Sequence, residues 1–255
     1  VTLGRGFGQA ARAVRRLNPA AVVGFGGYPT VPPMLAAQLL RVPTILHEQN
    51  AVMGRANAFL ARGARAIATG FREVRGVPVK ALAPRTHTGN PLRPAVLEAA
   101  KLAYPPASAG DPLHLLVFGG SQGARVMGEV VPSAIANLPA DLRARLHLVQ
   151  QVRAEDLTQV QNLYLGLGLA GFEAAPFFKD LPARMAAAHL VIGRSGASTV
   201  SELAAIGRPA ILVPLPGALD QDQAANAATL AQIGAALSIP QSAFTPDRLA
   251  AELVD

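Results

Sequence analysis

Two glycine-rich turns, each set between an apolar run and a helical pattern, hold the residues best suited to a charged ligand. GGSQGAR, residues 119–125, follows LHLLVF; SGASTVSE, residues 195–202, follows HLVIGR. Both place backbone N–H groups and the positive end of a helix dipole at a strand tip, where a phosphate or diphosphate is stabilised. Two such turns in one region point to a nucleotide diphosphate. In the first, Gly119 and Gly120 admit close backbone approach and Ser121 adds a hydroxyl. In the second, Glu202 repels phosphate but suits the vicinal hydroxyls of a ribose; a surface glutamate that helps cap the helix is the alternative. Asp220, Asp222 and Gln223 follow the next strand and suit sugar hydroxyls. Their spelling also suggests a metal pair, but two carboxylates alone make a thin metal site.

The first half of the chain has its own candidates. GFGGYP, residues 24–29, has the spacing of a loose dinucleotide fingerprint broken at its last glycine, and reads equally as a tight turn requiring positive φ. His47 ends an apolar run, where it is either a general base or a buried, hydrogen-bonded histidine.

These residues need a scaffold that brings strand tips to one edge. Apolar runs near 20–24, 42–47, 64–70, 113–118, 146–150, 170–178, 189–193, 210–214 and 235–238 alternate with helical patterns. That alternation predicts an α/β fold of parallel sheets built from right-handed crossovers, with ligands beyond the carboxyl ends of the strands. TGNPLRP, residues 88–94, has the composition of a turn or linker.

Charge changes sign at the same place. Residues 1–93 hold thirteen Lys and Arg against only Glu48 and Glu73, whereas the remainder is mildly acidic. We therefore divide the chain into domains 1–90 and 91–255, facing each other across a cleft. A basic first half suits an anionic lipid surface, a phosphorylated substrate or nucleic acid. Aromatic residues are sparse there and no nucleic-acid-binding signature is present, so nucleic acid is not the expected partner. The chain has no cysteine and no apolar run of about 18 residues. It opens at Val1 within a helix-like segment and stops within another, RLAAELVD, as expected of a piece of a longer chain.

The ordered set FGGYPT, HEQN, TGNPLR, FGGSQGAR and RSGASTVSE with a downstream DQ closely resembles the MurG family of glycosyltransferase family 28, over nearly all of residues 1–255. The resemblance implies a GT-B fold of two Rossmann-like domains. Residues 1–90 would be a partial acceptor- and membrane-side domain, and 91–255 the UDP-N-acetylglucosamine (UDP-GlcNAc) domain. It implies inverting GlcNAc transfer to the C4 hydroxyl of lipid-linked MurNAc-pentapeptide at the cytoplasmic face of the bacterial inner membrane. The enzyme would be peripheral, with no cofactor and no metal. Asn50 then lines the sugar side of the cleft, Arg93 binds the diphosphate, and Ser121 contacts diphosphate or sugar. Phe178 stands where the family has an aliphatic residue whose backbone reads the uracil. Ala197, Ser198, Thr199 and Val200 form the helix start under the diphosphate, with Ser201 beside them, and Glu202 is the ribose carboxylate. Asp222 and Gln223 read the GlcNAc hydroxyls, and Gly26, Gly27, Tyr28 and Pro29 form a loop for the acceptor diphosphate. Family members also carry an earlier glycine loop ending in a histidine, a candidate base that nothing in this sequence matches. His47 is then the base candidate within the chain. Taken alone, the chain is expected to bind nucleotide with little turnover.

Overall fold

The computed structural model describes residues 2–106, 108, 110–120, 124–217 and 222–254; Ser121 and Asp220 lie outside them. The chain forms two compact units, Val1–Pro91 with Leu219–Ala225, and Leu92–Ala218 with Asn226–Asp255.

The first unit opens with α1 (Thr2–Leu17), whose Arg5, Arg12, Arg15 and Arg16 are exposed while Val14 is buried. It continues through β1 (Val22–Gly24), α2 (Val31–Leu39), β2 (Thr44–Glu48), α3 (Arg55–Leu60), β3 (Ala66–Thr69) and β4 (Arg85–His87). Among the described residues the strands form one parallel sheet in the order β1-β2-β3-β4. Pro32 and Pro33 fall in the first turn of α2, where a missing N–H costs no helical bond. Met34 of α2 and Leu60 of α3 pack with Leu46 and Ile67 from the sheet. The edge strand β4 corresponds to none of the apolar runs. Its three residues, Arg-Thr-His, are all exposed, so it has no apolar alternation to read.

The second unit begins with α4 (Pro94–Ala99) and then runs β5 (Leu113–Phe118), α5 (Arg125–Ala136), α6 (Ala140–Arg143), β6 (Leu146–Gln151), α7 (Leu157–Tyr164) and β7 (Gly171–Ala175). It proceeds through α8 (Leu181–Ala187), β8 (Leu190–Gly193), α9 (Ala197–Ile206), β9 (Ala210–Leu212), α10 (Asp222–Ala231), β10 (Ala236–Ser238) and α11 (Pro246–Val254). Every strand pairing is parallel, in the order β10-β9-β8-β5-β6-β7. From β5 the chain walks outward to β7, then returns to the other side of β5 and walks outward to β10. The strand order therefore reverses between β5 and β8, and the crevice beyond a reversal is where doubly wound sheets bind ligands. The two glycine turns follow β5 and β8. Strand backbones are pressed together there: a Cβ on Gly193 would lie 3.1 Å from the Phe118 carbonyl oxygen.

Met127, Val131 and Ile135 of α5 bury against Leu115, Val117 and Leu148 of the sheet. Each such side chain contributes roughly 1.5–3 kcal/mol on burial. The segment leaving α4 is fastened by Arg208, which is almost wholly buried. Its guanidinium donates to the carbonyls of Leu102, Ala103, Ala186 and Ile206, so carbonyl dipoles rather than a carboxylate satisfy it. Burial lowers its pKa from the usual arginine value.

Candidate functional site

The N-terminus of α9 follows the tip of β8, beside the strand reversal. Gly196 is its N-cap, with φ −60° and ψ 152°, and no side chain caps the helix. Ala197, Ser198, Thr199, Val200 and Ser201 form its first turns; Ser198 is exposed and Val200 buried. A helix N-terminus without a side-chain cap suits an anion. Behind this turn, Arg194 donates to the carbonyls of Val213 and Pro214 at 3.1 and 3.2 Å and to Gln241 Oε1 at 2.7 Å. Asn226, fully buried on α10, donates to the Ser195 carbonyl at 3.2 Å. These two side chains hold the turn rigid from either flank, and no pattern in the sequence marked them for that work.

Glu202 lies one and a half turns into α9. It is not a surface cap: its side chain is 10% exposed, and Oε1 accepts from Arg93 Nη2 at 2.9 Å. Arg93, expected on a diphosphate, is itself the N-cap residue of α4 and 60% exposed. The structure thus joins two residues that the sequence assigned to different groups of one ligand.

Phe178 follows β7 at the same edge of the sheet and is 7% exposed. Its ring lies under Arg184, whose guanidinium carbon is 4.3 Å from the ring centroid. Arg184 is fixed by Glu173 and Asp180, and the hydrogen bond to Glu173 raises its pKa further. The ring is thus committed to packing and cation–π contact. At the start of α10, Asp222 Oδ1 accepts from the Gln223 N–H at 2.8 Å.

In the first unit the strand tips carry a second cluster. Gly26 and Gly27 have φ of +82° and +76°, Tyr28 and Pro29 continue in a single 3-10 turn, and Thr30 Oγ1 donates to the Gly26 carbonyl. Gly24 is required for packing, because a Cβ there would lie 2.7 Å from Thr30 Cγ2 and 2.9 Å from the Met34 side chain. Each glycine of GFGG therefore has a local cause. His47 is 7% exposed. Its Nε2 lies 3.0 Å from the Gly89 carbonyl and so donates to it, which leaves Nδ1 as a buried acceptor without a partner. The Phe25 ring covers it at a centroid distance of 5.4 Å. Glu48 is 2% exposed; Oε1 accepts from the Asn50 N–H, and Oε2 from the Gly54 N–H and from Asn57 Nδ2. A carboxylate so saturated by donors is an anchor rather than a base. Asn90 of TGNPLR donates to the Gln49 carbonyl at 3.0 Å, binding that motif to HEQN.

The C-terminal domain of glycosyltransferase family 28 matches residues 114–255, and the N-terminal domain of that family matches residues 1–69. The chain belongs to glycosyltransferase family 28. Within family 28 it is 85% identical, over 255 residues, to the UDP-N-acetylglucosamine–N-acetylmuramyl-(pentapeptide) pyrophosphoryl-undecaprenol N-acetylglucosamine transferase of Methylorubrum extorquens. The match spans 100% of this chain and 69% of that protein. The corresponding transferase of Rhodopseudomonas palustris is 61% identical over 253 residues, 98% of this chain and 68% of that protein. The crystal structure of Acinetobacter baumannii MurG superposes with a TM-score of 0.81 at 34% identity, covering 99% of this chain and 70% of that one. A UDP-GlcNAc 2-epimerase from Neisseria meningitidis, 12% identical with a TM-score of 0.62 over 99% of this chain and 72% of that one, shares the fold. The family 28 chain is thus an α/β protein of the GT-B kind, with two parallel-sheet domains.

Proposed function

We propose that the protein transfers GlcNAc from UDP-GlcNAc to the C4 hydroxyl of undecaprenyl-diphosphate-linked MurNAc-pentapeptide, with inversion, in peptidoglycan synthesis. The observation that carries this reading is the nearly buried Glu202 behind the uncapped N-terminus of α9, at the point of strand reversal. One end of that arrangement suits a diphosphate and the other a ribose. The names borne by relatives of 61–85% identity give the sugar and the acceptor.

In this reading the acceptor oxygen attacks C1 of GlcNAc as the bond from C1 to the UDP oxygen breaks, and the hydroxyl proton passes to a base. His47 is the candidate base within the chain. The N–H groups of residues 197–200, with Arg93, stabilise charge growing on the departing diphosphate; each such donor is worth about 3 kcal/mol in the transition state. Ser121 supports the same group from the first glycine turn. The backbone of Phe178 reads the uracil, Asp222 and Gln223 read the GlcNAc hydroxyls with Asn50 on the sugar side, and residues 26–29 receive the acceptor diphosphate.

The acceptor is lipid-linked, so the enzyme works at a membrane. Among the described residues no helix is long and apolar enough to cross one. The exposed arginines of α1 suit peripheral docking on anionic lipid at the cytoplasmic face of the inner membrane, at about 1 kcal/mol per basic side chain. We assign the basic first half to lipid and not to nucleic acid. The reading is tested by incubating the protein that carries this chain with labelled UDP-GlcNAc and lipid-linked MurNAc-pentapeptide. Label appearing in a disaccharide-linked lipid supports it. Formation of the 2-epimer without transfer, or transfer only to other glycolipids, overturns it.

A further inference from the structure

Arg93 and Glu202 are 109 positions apart in sequence and joined at 2.9 Å. Glu202 is nearly buried, so its charge depends on a close partner: an ion left inside without one loses far more than an exposed pair gains. Arg93 is more than half exposed and sits at the free N-terminal end of α4, with a long side chain able to swing. Glu202 is the sixth residue of α9, so the helix N-terminus lies about 7 Å along the axis at ~1.5 Å per residue. A guanidinium released from Glu202 can span that distance.

We infer that the Arg93–Glu202 pair makes the site selective for nucleoside diphosphates over nucleosides. The inference rests on the donor reading above, with ribose on Glu202 and diphosphate at the α9 N-terminus. Ribose hydroxyls are neutral donors, and in taking Glu202 they displace a charge-assisted hydrogen bond. A nucleoside offers the displaced Arg93 nothing in return. A nucleoside diphosphate offers it two phosphates, so the ion pair is exchanged rather than lost. Arg93 thus opposes uridine and favours UDP from one position, and the discrimination arises from the exchange in addition to direct phosphate contact.

The test is a calorimetric comparison of uridine and UDP binding to the chain and to Arg93→Ala. The expected result is opposite shifts: UDP weakens by about tenfold or more, while uridine tightens several-fold, because its competitor for Glu202 is gone. Should Arg93→Ala fail to fold, Arg93→Gln, which keeps a neutral donor beside Glu202 and removes the charge, gives the same comparison with smaller shifts of the same signs. Uridine binding that weakens or stays unchanged in the folded variant overturns the inference and makes Arg93 a residue that merely orients Glu202. If UDP does not bind the wild-type chain, the donor reading itself has failed.

Discussion

Asn57 Nδ2 lies 2.8 Å from Glu48 Oε2 and 3.3 Å from the His47 carbonyl, tying α3 to the tip of β2 beneath the GGYP loop. A Cβ on Gly26 would meet the same Asn57 amide at 3.1 Å. One buried carboxamide therefore supports both the loop assigned to the acceptor diphosphate and the strand end that carries His47.

Asn57→Ala removes a donor from a carboxylate that is 2% exposed, at an expected cost of about 2–4 kcal/mol. Urea denaturation measures it. In steady-state kinetics the KM for the lipid-linked acceptor should rise, with UDP-GlcNAc affinity little changed. An equal loss for both substrates would show that Asn57 supports the fold without favouring the acceptor loop.

Two glycines at the ends of α9 should behave oppositely. Gly207 is the left-handed C-cap, φ 71°, so Gly207→Ala should lower stability by about 1–2 kcal/mol. Gly196 has an ordinary backbone conformation with nothing within 4 Å of an added Cβ. Its weaker capping as alanine and its reduced unfolded-state entropy oppose each other, leaving stability within about 1 kcal/mol. UDP affinity should nevertheless fall by roughly tenfold, since the methyl group occupies the path to the α9 N–H groups. Thermal denaturation and UDP titration of each variant separate the two effects.

At the other end of the second sheet, three imidazoles stack. The His114 ring lies 5.0 Å from His147 and 5.5 Å from His189, and the His114 N–H donates to His189 Nδ1 at 2.9 Å. Desolvation, then the neighbouring His147 and His189, lower the His114 pKa below 6.5. The unfolded chain therefore takes up the proton first. The stability contribution is present in full above 6.5, is lost as pH falls through 6.5, and levels off below the folded-state value. Urea midpoints between about pH 5 and pH 8 should fall on acidification, and less steeply in His114→Gln. Identical slopes would contradict the assignment.

Much of the scaffold was legible because burial writes itself into sequence. Parallel strands covered on both faces read as unbroken apolar runs such as LHLLVF and HLVIG, and glycine marks where each stops. β4 was illegible because an exposed three-residue edge carries no such mark. The start of α9 and the place of Glu202 within it were legible from local spacing. The pairing of Arg93 with Glu202, the Asn57–Glu48 brace and the Arg184–Phe178 stack join distant or chemically unremarkable positions, so no local pattern encodes them. Ser121 was read from its glycine turn alone, and the described residues do not include it.

Titration of UDP-GlcNAc into the wild-type chain and Glu202→Ala bears most directly on the central claim, that the donor is held at the strand reversal of the second unit by Glu202 and the α9 N-terminus. Arg93, the partner left behind, is more than half exposed, so the variant should remain folded by circular dichroism. The account requires donor affinity to fall by roughly a hundredfold, as expected for loss of charge-assisted hydrogen bonds to two ribose hydroxyls. An unchanged affinity in a folded variant would contradict it.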